Sequence, residues 1–598
     1  MIQIPIFLAA ALAGTQAPPY LEATADQVEI CPLLTVGDTV PSFDGFTRLV
    51  GVPDGMGWFA DELGTTTLLV NHELSPSAGV PRRHGAPGAF VSRWRLDPLS
   101  REIIEGEDLI HTVHTWSPAD SAYTRAFPSF CRLCSADLPR ESAFYHEPSG
   151  QGTRARILTG GEECLPDGRA FAHFATGALA GQSFDLPRAG HMSFENVVAS
   201  PFAQEKTILV CLEDTYLGEL YVYVGTKDST GTDLERAGLT NGRLYGIIVD
   251  GFPREDQARG RVGDSRRFAL HDFGDVSAKD GMQLATESRD AGITQFLRPE
   301  DGHWDPLVRG TFYFVTTGQL FEGDLGLSGD GGGTRLFALR FDDITRPILG
   351  GRIEILLDGT EPETLMFDNL TVDGYGHVII QEDPGYVERA ARIWRYDLAS
   401  GGLEEVARHN PALFGDLGRP PTPPFNPNEE SSGIVDAAAA LGPGWYLLNV
   451  QAHAAIYEDP ELIEMGQLLA LYDPAGDRSA LRLEGLTPGH AGVPNTLRVR
   501  GAEPGAHIEL SWAGRPGYTP VEGCPALSLQ SEPLGFLEAV VADSSGLAEF
   551  SARVPHWWEG LDRRLQARDA AGCWISDVLE TVFVAPVAPP ARAASAGP

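Results

Sequence analysis

The chain has 598 residues, of which 42% are hydrophobic, so it can bury a large core and its length predicts more than one domain. Its 82 acidic and 45 basic residues give a formal net charge of -37, which argues against nucleic acids and anionic lipid surfaces as partners. An acidic excess of this size suits either a solvated surface or clustered carboxylates that bind cations, and the positions of the acids must decide.

The N-terminal stretch MIQIPIFLAAALAGTQA has the apolar centre and the small residues of a secretory signal peptide, although it has no basic start. We therefore predict a signal peptide over residues 1–17 and a protein that is secreted, periplasmic or held at the cell surface. No later apolar stretch approaches the length of a membrane span, so we predict none. Cys131 and Cys134 form an isolated C-x-x-C, and in an exported protein disulfides explain such cysteines better than a redox or zinc site.

Short strands closed by turns dominate the next part of the chain. Aromatic and β-branched residues alternate and end in Asp, Gly or Ser in the stretches GELYVYVGTK, GRLYGIIVDG, TRLFALRFDD and ARIWRYDLASGGLEEV. This pattern is typical of β-hairpins, and no sustained helical period separates them. We therefore predict an all-β fold in which residues 18–484 form a β-propeller of about six blades with long insertions, and a double β-sandwich is the alternative.

The pattern changes near residue 485. The stretches GLTPGHAGVPNTLRVRGAEPGAHIELSWAG and ADSSGLAEFSARVP alternate between Gly/Pro turns, which predicts an immunoglobulin-like β-sandwich over residues 485–585. Cys524 and Cys573 could link its two sheets. Both an accessory or surface-display module and a purely structural extension remain open for this domain. Residues 586–598 are rich in Pro and Ala and predict a disordered tail.

Acidic side chains recur where the predicted inner strands of the propeller begin or end. The acids in this series are Glu73, Glu162, Glu163, Glu195, Glu213, Asp214, Glu300, Asp301, Asp368, Glu382, Asp383, Glu429 and Glu430. Inner strands line the central channel of a propeller, so these side chains would converge on one axis. Converging carboxylates repel one another unless cations neutralise them. Because oxygen ligands outnumber histidines, the pattern predicts calcium, magnesium or another hard cation rather than zinc.

Several short motifs follow one another in order from Leu68 to His453. They are LLVNHEL, TGGEEC, SFENVVA with VCLED, LRPEDGHWDP, FDNLTVDGYGHVIIQED, and EESSGIV with NVQAH. In these motifs the sequence resembles the PhoX-type alkaline phosphatases, which are secreted propeller enzymes that use iron and calcium to hydrolyse phosphate monoesters. The resemblance implies a propeller fold, a small phosphate ester as substrate and metal ions as cofactors. The predicted immunoglobulin-like domain lies outside it.

Carried over to the matching positions, the resemblance makes Arg298 the group that holds the substrate phosphate, next to Pro299 and Glu300. It also implies a set of candidate metal ligands, which are Glu195, Glu300 and Glu430, with Glu162, Glu163, Glu73 and Asp214 as further candidates. The family has an iron-binding cysteine directly before its paired glutamates, where this chain has Gly161 and places Cys164 after the pair. We therefore expect calcium, while iron is left open.

Two classes of function follow from these residues. The first is a metal-dependent phosphoesterase in which cations polarise the phosphoryl group and Arg298 stabilises charge in the transition state. The second is a non-catalytic, calcium-stabilised propeller that binds a ligand or a partner protein. The pair of Arg298 and Glu300 favours the enzyme, whereas the missing cysteine favours the binding protein or an enzyme that uses other metals.

Overall fold

The computed structural model describes residues 15–43, 45–61, 64–255, 260–318, 333–359, 364–476, 481–521, 524, 528–569 and 571–586. Most of the predicted signal peptide, and residues 587–598 of the predicted tail, lie outside this set. Strands predominate, and the chain divides into two compact units. The first unit comprises Met1–Asp373, Val378–Tyr396 and Leu403–Asp473, and the second comprises Gly374–His377, Asp397–Gly402 and Pro474–Pro598.

Short strands are the predominant regular structure of the chain as far as Tyr472. In chain order they are β1 (Leu21–Ala23), β2 (Glu29–Thr35), β3 (Thr39–Ser42), β4 (Gly45–Arg48), β5 (Pro53–Ala60), β6 (Thr66–His72), β7 (Phe90–Leu96), β8 (Ile103–Asp108), β9 (Thr112–Ser117), β10 (Ala122–Ala126), β11 (Leu133–Asp137), β12 (Tyr145–His146), β13 (Gln151–Gly152), β14 (Ile157–Glu162), β15 (Ala170–Phe174), β16 (Gln182–Asp185) and β17 (Phe194–Ala199). They continue with β18 (Lys206–Glu213), β19 (Gly218–Thr226), β20 (Arg243–Val249), β21 (Ser265–Gly274), β22 (Gln295–Phe296), β23 (Pro299–Trp304), β24 (Thr311–Thr316), β25 (Arg335–Phe341), β26 (Gly351–Asp358), β27 (Phe367–Val372), β28 (His377–Glu382), β29 (Arg392–Asp397), β30 (Leu403–His409), β31 (Glu429–Asp436), β32 (Trp445–Ala455) and β33 (Glu464–Tyr472).

Helices are few and short in the described part of the chain. The α-helices there are α1 (Asp233–Arg236), α2 (Gly281–Ala291), α3 (Pro411–Phe414) and α4 (Ala438–Leu441). Single 3-10 turns cover Glu141–Ala143, Pro187–Ala189, Pro347–Leu349, Pro474–Gly476 and His556–Trp558. Within the described ranges, no helix combines the length and the apolar content that crossing a bilayer requires.

Strand β18 illustrates why these sequences form buried strands. In its sequence KTILVCLE, Leu209 and Cys211 pack in one hydrophobic cluster, whereas Ile208, Val210 and Leu212 pack in another. Alternate side chains of a strand point to opposite faces, so apolar layers cover both faces of this sheet. A slip of one residue would exchange the two faces, and the packing on both sides therefore fixes the register.

Six strands contact one another in a closed ring, and we call them the ring strands. In order around the ring they are β5, β11, β17, β23, β27 and β31, and β31 contacts β5 again. Each begins a run of hydrogen-bonded strands, namely β5-β6-β7-β8, β11-β14-β15-β16, β17-β18-β19-β20, β23-β24-β25-β26, β27-β28-β29-β30 and β31-β32-β33. The N-terminal strands complete the last two runs, because β1 pairs with β30 and β2 pairs with β33.

Every ring strand is bulged against its neighbour. The register shifts between Pro53 and Met56, Leu133 and Ala136, Phe194 and Asn196, Pro299 and Gly302, Phe367 and Leu370, and Ser432 and Val435. A bulge adds a residue to one strand, disturbs the ladder and turns side chains away from their regular direction. Bulges are frequent beside active sites. Their recurrence in all six ring strands therefore marks the bulged residues as candidates for a functional site.

The second unit has its own strands and its own core. The strands are β34 (Arg482–Thr487), β35 (Pro494–Arg500), β36 (His507–Ala513), β37 (Thr519–Pro520), β38 (Ser528–Leu529), β39 (Gly535–Val541), β40 (Ala548–Arg553), β41 (Asp562–Asp569), β42 (Trp574–Ile575) and β43 (Leu579–Val582). They form the sheets β34-β35-β40 and β39-β36-β41-β42, with β43 paired to β41, and the hairpin β37-β38. Val499 and Phe550 of one sheet share a hydrophobic cluster with Leu510 of the other, and the expected disulfide joins Cys524 to Cys573. The immunoglobulin-like assignment stays a prediction.

Candidate metal centre

Acids and one cysteine occupy the bulges of the ring strands. Asp54, Cys134, Glu195, Glu300 and Asp368 each lie between the two residues where the register of a ring strand shifts. In β31 the acid is Glu430, which pairs with Gln451 shortly before the bulge. Each ring strand therefore carries at least one side chain of a metal-ligating type in its first half.

A second set of polar side chains stands at the ends of the strands that neighbour the ring strands. Glu73 follows β6, Glu163 follows β14, Asp214 follows β18 and Asp383 follows β28, while His453 lies near the end of β32. Each neighbour is antiparallel to its ring strand, so its end lies beside the start of that ring strand. The two sets of side chains therefore meet.

The side chains gather into four groups whose ligand atoms lie within 4.8 Å of one another. The groups are Asp54, Glu73 and Cys134; Cys134, Glu163 and Glu195; Glu195, Asp214 and Glu300; and Asp368, Asp383 and Glu430. Cys134 and Glu195 each belong to two groups, so the first three groups are continuous. Nε2 of Gln451 lies 3.2 Å from a carboxylate oxygen of each of Asp54, Glu73 and Glu430, so its two N–H donors link the fourth group to the first. We call the whole set the acidic cluster.

Burial dominates the electrostatics of the acidic cluster. It raises the pKa of Glu195, Glu300 and Glu430 well above the usual range of a glutamate, and neighbouring carboxylates raise it further. Burial also raises the pKa of Glu163 to about 7, although the charge of Arg132 opposes this shift. Ionised carboxylates repel one another in such a place, and a cation that binds between them removes the repulsion. The cluster is therefore suited to cations.

Some buried oxygen atoms of the cluster and its surroundings accept no hydrogen bond. They are Oδ1 of Asp54, Oδ1 of Asn449 and Oε1 of Gln451. Buried acceptors are nearly always paired, so unpaired oxygens beside carboxylates indicate a place for a cation. Oxygen donors suit calcium and other hard cations, and the sulfur of Cys134 adds a soft donor that suits iron. The residues present therefore fit both metals that the resemblance implied.

The structure brings all but one of the predicted ligands into the acidic cluster. Those inside it are Glu73, Glu163, Glu195, Asp214, Glu300 and Glu430. Glu162 is committed elsewhere, because its carboxylate accepts hydrogen bonds from Nε and Nη2 of Arg169, both at 2.8 Å, and from the N–H of Cys131 at 3.1 Å. Successive side chains of a strand point to opposite faces, which explains why Glu163 faces the cluster and Glu162 does not.

The soft donor is a residue that sequence reasoning missed. Sγ of Cys134 lies 3.1 Å from Oε2 of Glu163, and the thiol donates a hydrogen bond to that carboxylate. Cys164, the cysteine that follows the paired glutamates, forms a disulfide with Cys131 and offers no free sulfur. The sequence did contain a signal for this ligand, because Cys134 is the second residue of its strand, as Glu195 is of its own. Sequence reasoning also missed Asp54, and it placed Asp368 and Asp383 in the series of strand-end acids without naming them as individual metal ligands.

Two arginines contact the cluster while part of each side chain is in solvent. Arg298 donates two hydrogen bonds to Asp214, lies 3.3 Å from Glu300 and is 37% exposed. Arg132 pairs with carboxylates of the first two groups and is 47% exposed. Both arginines have a left-handed backbone, with φ of 56° for Arg298 and 36° for Arg132, which few non-glycine residues adopt. Such conformations are concentrated at functional sites.

The fold has a counterpart among solved structures. Pseudomonas fluorescens PhoX, solved in complex with vanadate as a transition state analogue, matches with a TM-score of 0.52 and 12% sequence identity, over 78% of this chain and 98% of that one. The chain has a PhoX-like fold. At this identity the likeness extends to the fold and not to the chemistry.

Other comparisons add nothing to this likeness. The gluconolactonase XC5397 of Xanthomonas campestris matches with a TM-score of 0.28 and 12% identity, over 76% of this chain and 98% of that one, and this low score supports no argument. No protein-family model matches the chain, and no curated protein matches it in sequence. Any function must therefore be argued from the residues of the acidic cluster.

Proposed function

We propose that the protein is a secreted, metal-dependent phosphoesterase that hydrolyses small phosphate monoesters at the acidic cluster. The observation that carries this proposal is the position of Arg298, whose partly exposed guanidinium lies against Asp214 and Glu300, two members of one ligand group. A guanidinium binds two phosphate oxygens at once and a metal ion polarises a phosphoryl oxygen, and here the guanidinium of Arg298 adjoins a candidate metal site.

The proposed architecture is a β-propeller of six blades, with the acidic cluster at one end of its channel. The closed ring of six strands supports the blade count, and the PhoX-like fold supports the propeller. Pairing of the N-terminal strands β1 and β2 with β30 and β33 would close the last two blades. Side chains from every blade could then reach one axis, which is the arrangement that a shared metal centre requires.

The donors of the cluster divide into two kinds, and this division supports two kinds of metal site. Asp368, Asp383 and Glu430 offer only oxygen, as calcium prefers. Cys134 offers sulfur in a group with Glu163 and Glu195, as iron accepts. Cys134 thus takes the role that the resemblance gave to a cysteine at the position of Gly161. Bound cations would supply Lewis-acid polarisation of a phosphoryl oxygen.

The part played by Arg298 follows from its hydrogen bonds. Nε and Nη2 hold Asp214, which fixes the plane of the guanidinium and leaves the Nη1 donors for a phosphate oxygen. A donor that is already oriented needs no rearrangement when charge develops on the transferring phosphoryl group. Arg132, between carboxylates of the first two groups, gives the cluster a second guanidinium that faces solvent.

Export to an oxidising compartment is part of the proposal. Two disulfides, Cys131–Cys164 and Cys524–Cys573, support it, because structural disulfides persist outside the reducing cytosol. The second unit would serve as an accessory module of immunoglobulin-like fold.

The test is hydrolysis of a chromogenic phosphate monoester by the purified full chain, before and after a chelator removes bound metal. We expect hydrolysis that chelation abolishes and that calcium together with iron restores. Calcium binding without hydrolysis would reject the enzyme and favour the calcium-stabilised binding protein. Hydrolysis that survives complete removal of metal would reject the metal-dependent mechanism.

A further inference from the structure

The disulfide Cys131–Cys164 joins two segments that carry Cys134 and Glu163, members of two groups of the acidic cluster, and Arg132, which pairs with it. Cys131 directly precedes Arg132 and lies three positions before Cys134, while Cys164 directly follows Glu163. The bridge therefore connects the start of ring strand β11 to the end of its neighbour β14. The disulfide therefore lies directly beside the candidate metal centre.

Hydrogen bonds tie the same two segments together. The N–H of Cys131 donates to Oε1 of Glu162 at 3.1 Å, and the N–H of Glu163 donates to the carbonyl of Arg132 at 2.9 Å. Arg169 holds the carboxylate of Glu162 from the other side with two hydrogen bonds of 2.8 Å. Glu162 is buried, so this carboxylate acts as a fixed anchor inside the fold and not as a solvated charge.

We infer that the Cys131–Cys164 disulfide and the carboxylate of Glu162 form a bracket that positions Arg132, Cys134 and Glu163. This inference rests on the proposed function, because it concerns the same centre. It gives Glu162 the part of a positioning residue in place of the ligand role that the sequence suggested.

The backbone of Arg132 explains why a bracket is needed. Its φ of 36° lies in the left-handed region, which a non-glycine residue keeps only when its surroundings enforce it. The N–H of Arg132 donates to the carbonyl of Leu74 at 3.0 Å, and its carbonyl accepts from Glu163. Cys131 is covalently fixed next to it. With the bracket opened, this turn can relax to a common conformation and carry the arginine and Cys134 away from Glu163.

The test uses the full chain with Cys131 and Cys164 both replaced by serine. A matched control replaces Cys524 and Cys573 by serine, which removes the other disulfide, in the second unit. Two readouts apply, and neither involves a phosphate ester. The first is the rate at which iodoacetamide alkylates Cys134 in the metal-free protein, resolved by mass spectrometry. The second is the affinity for cobalt(II), followed by the absorption of the cobalt–thiolate bond.

We expect the bracket variant to lose cobalt affinity on the order of tenfold to a hundredfold, as loss of residues that orient ligands typically does, and to expose Cys134 to faster alkylation. The control should match the wild type in both readouts. Unchanged alkylation and affinity in the bracket variant would overturn the inference. Equal losses in the control would overturn it as well, because the effect would then be general destabilisation.

A second variant, which leaves the disulfide in place, tests the positioning role of Glu162 even when the cysteine variant does not fold. Glu162→Gln keeps the size of the side chain and an acceptor for the N–H of Cys131, but it loses the charge that holds Arg169. We expect weaker cobalt binding with the disulfide intact, and wild-type affinity would contradict the positioning role of Glu162. If the protein shows the expected changes in alkylation and cobalt affinity but has no phosphatase activity, the proposed function is wrong and the positioning role of the bracket is still supported.

Discussion

Arg298 donates to both carboxylate oxygens of Asp214, from Nε at 2.9 Å and from Nη2 at 2.7 Å. The arginine of the motif LRPEDGHWDP is therefore held chiefly by an acid from the end of another strand, and Glu300 lies at 3.3 Å. Two roles are open to an arginine in this position, a contact with substrate and a structural ion pair. Its geometry has features of both, because the ion pair orients a guanidinium that is 37% exposed.

Replacing Arg298 tests its contact with phosphate. We expect Arg298→Ala to lower turnover of a phosphate monoester by on the order of a hundredfold, since a fixed electrostatic donor to the transition state is lost. Arg298→Lys should recover little of this loss, because lysine keeps the charge but not the planar fork. Steady-state kinetics of the metal-loaded protein provides the measurement.

Arg267 is a matched control for this substitution. It also forms two hydrogen bonds with one aspartate, Asp342, at 2.8 and 2.7 Å, but both side chains are exposed and neither belongs to the acidic cluster. Arg267→Ala should leave turnover unchanged. Equal turnover in Arg298→Ala and Arg267→Ala would exclude a part for Arg298 in the reaction.

Glu195 is the acid whose loss should disturb the centre most, because it belongs to two of the ligand groups. We expect Glu195→Gln to reduce the metal content of the purified protein and its affinity for cobalt(II) together, since the amide lacks the negative charge. Elemental analysis measures the first and a cobalt titration the second. Glu105→Gln is the control, because Glu105 is a partly exposed acid paired with Arg95 outside the cluster. Full metal content in Glu195→Gln would contradict the assignment.

Cys134 and Cys211 are both buried and free, so replacing each in turn distinguishes a metal-ligand role from a packing role. We expect Cys134→Ser to abolish the thiolate absorption of the cobalt-loaded protein while calcium still raises its melting temperature. Cys211 lies in a hydrophobic cluster, so Cys211→Ser should lower the melting temperature and keep the absorption. An unchanged absorption spectrum in Cys134→Ser would show that its sulfur does not bind the metal.

The metal-free protein should become less stable as the pH rises. Burial raises the pKa of Glu163 from 4.5 to about 7, so this group binds more protons in the folded state than in the unfolded state. Its contribution to stability is therefore complete below pH 4.5 and is lost as the pH rises to about 7.

The neutral variant Glu163→Gln isolates this effect from every other titrating group. Melting temperatures of the metal-free wild type and variant should diverge between pH 4.5 and about 7, with the wild type falling relative to the variant. Saturating cobalt(II), which would bind in the group of Cys134, Glu163 and Glu195, should remove the divergence, because a bound cation keeps the carboxylate ionised at no electrostatic penalty. A wild type that gains stability relative to the variant over this range would falsify the argument.

Much of the acidic cluster could be predicted from sequence because its members stand at strand ends. Apolar alternation marks each strand, and a carboxylate at its boundary, such as Glu195, Glu300 or Glu430, interrupts that alternation visibly. The same pattern, together with many short turns, indicates a chain built mainly of strands. The local sequence therefore determined which segments form strands and which strand ends carry a carboxylate.

Other features depended on contacts that no local pattern encodes. Glu162 and Glu163 are neighbours in sequence, yet only Glu163 faces the cluster, because the pairing of β14 with β11 and β15 sets which side of the strand is inward. The partner of Cys131 is Cys164 and not Cys134, since a disulfide requires a particular separation of backbones that only the folded sheet provides.

The sequence by itself determined that this is a β-rich, acidic protein with carboxylates at its strand ends. Only the tertiary structure decided which of them meet, and it added Asp54 and Cys134 to the candidate ligands. The physical reason lies in the ring of six strands, where β5 contacts both β11 and β31 although the chain separates them widely. Closing that ring, with a bulge in each strand, brings side chains from distant segments within 4.8 Å of one another.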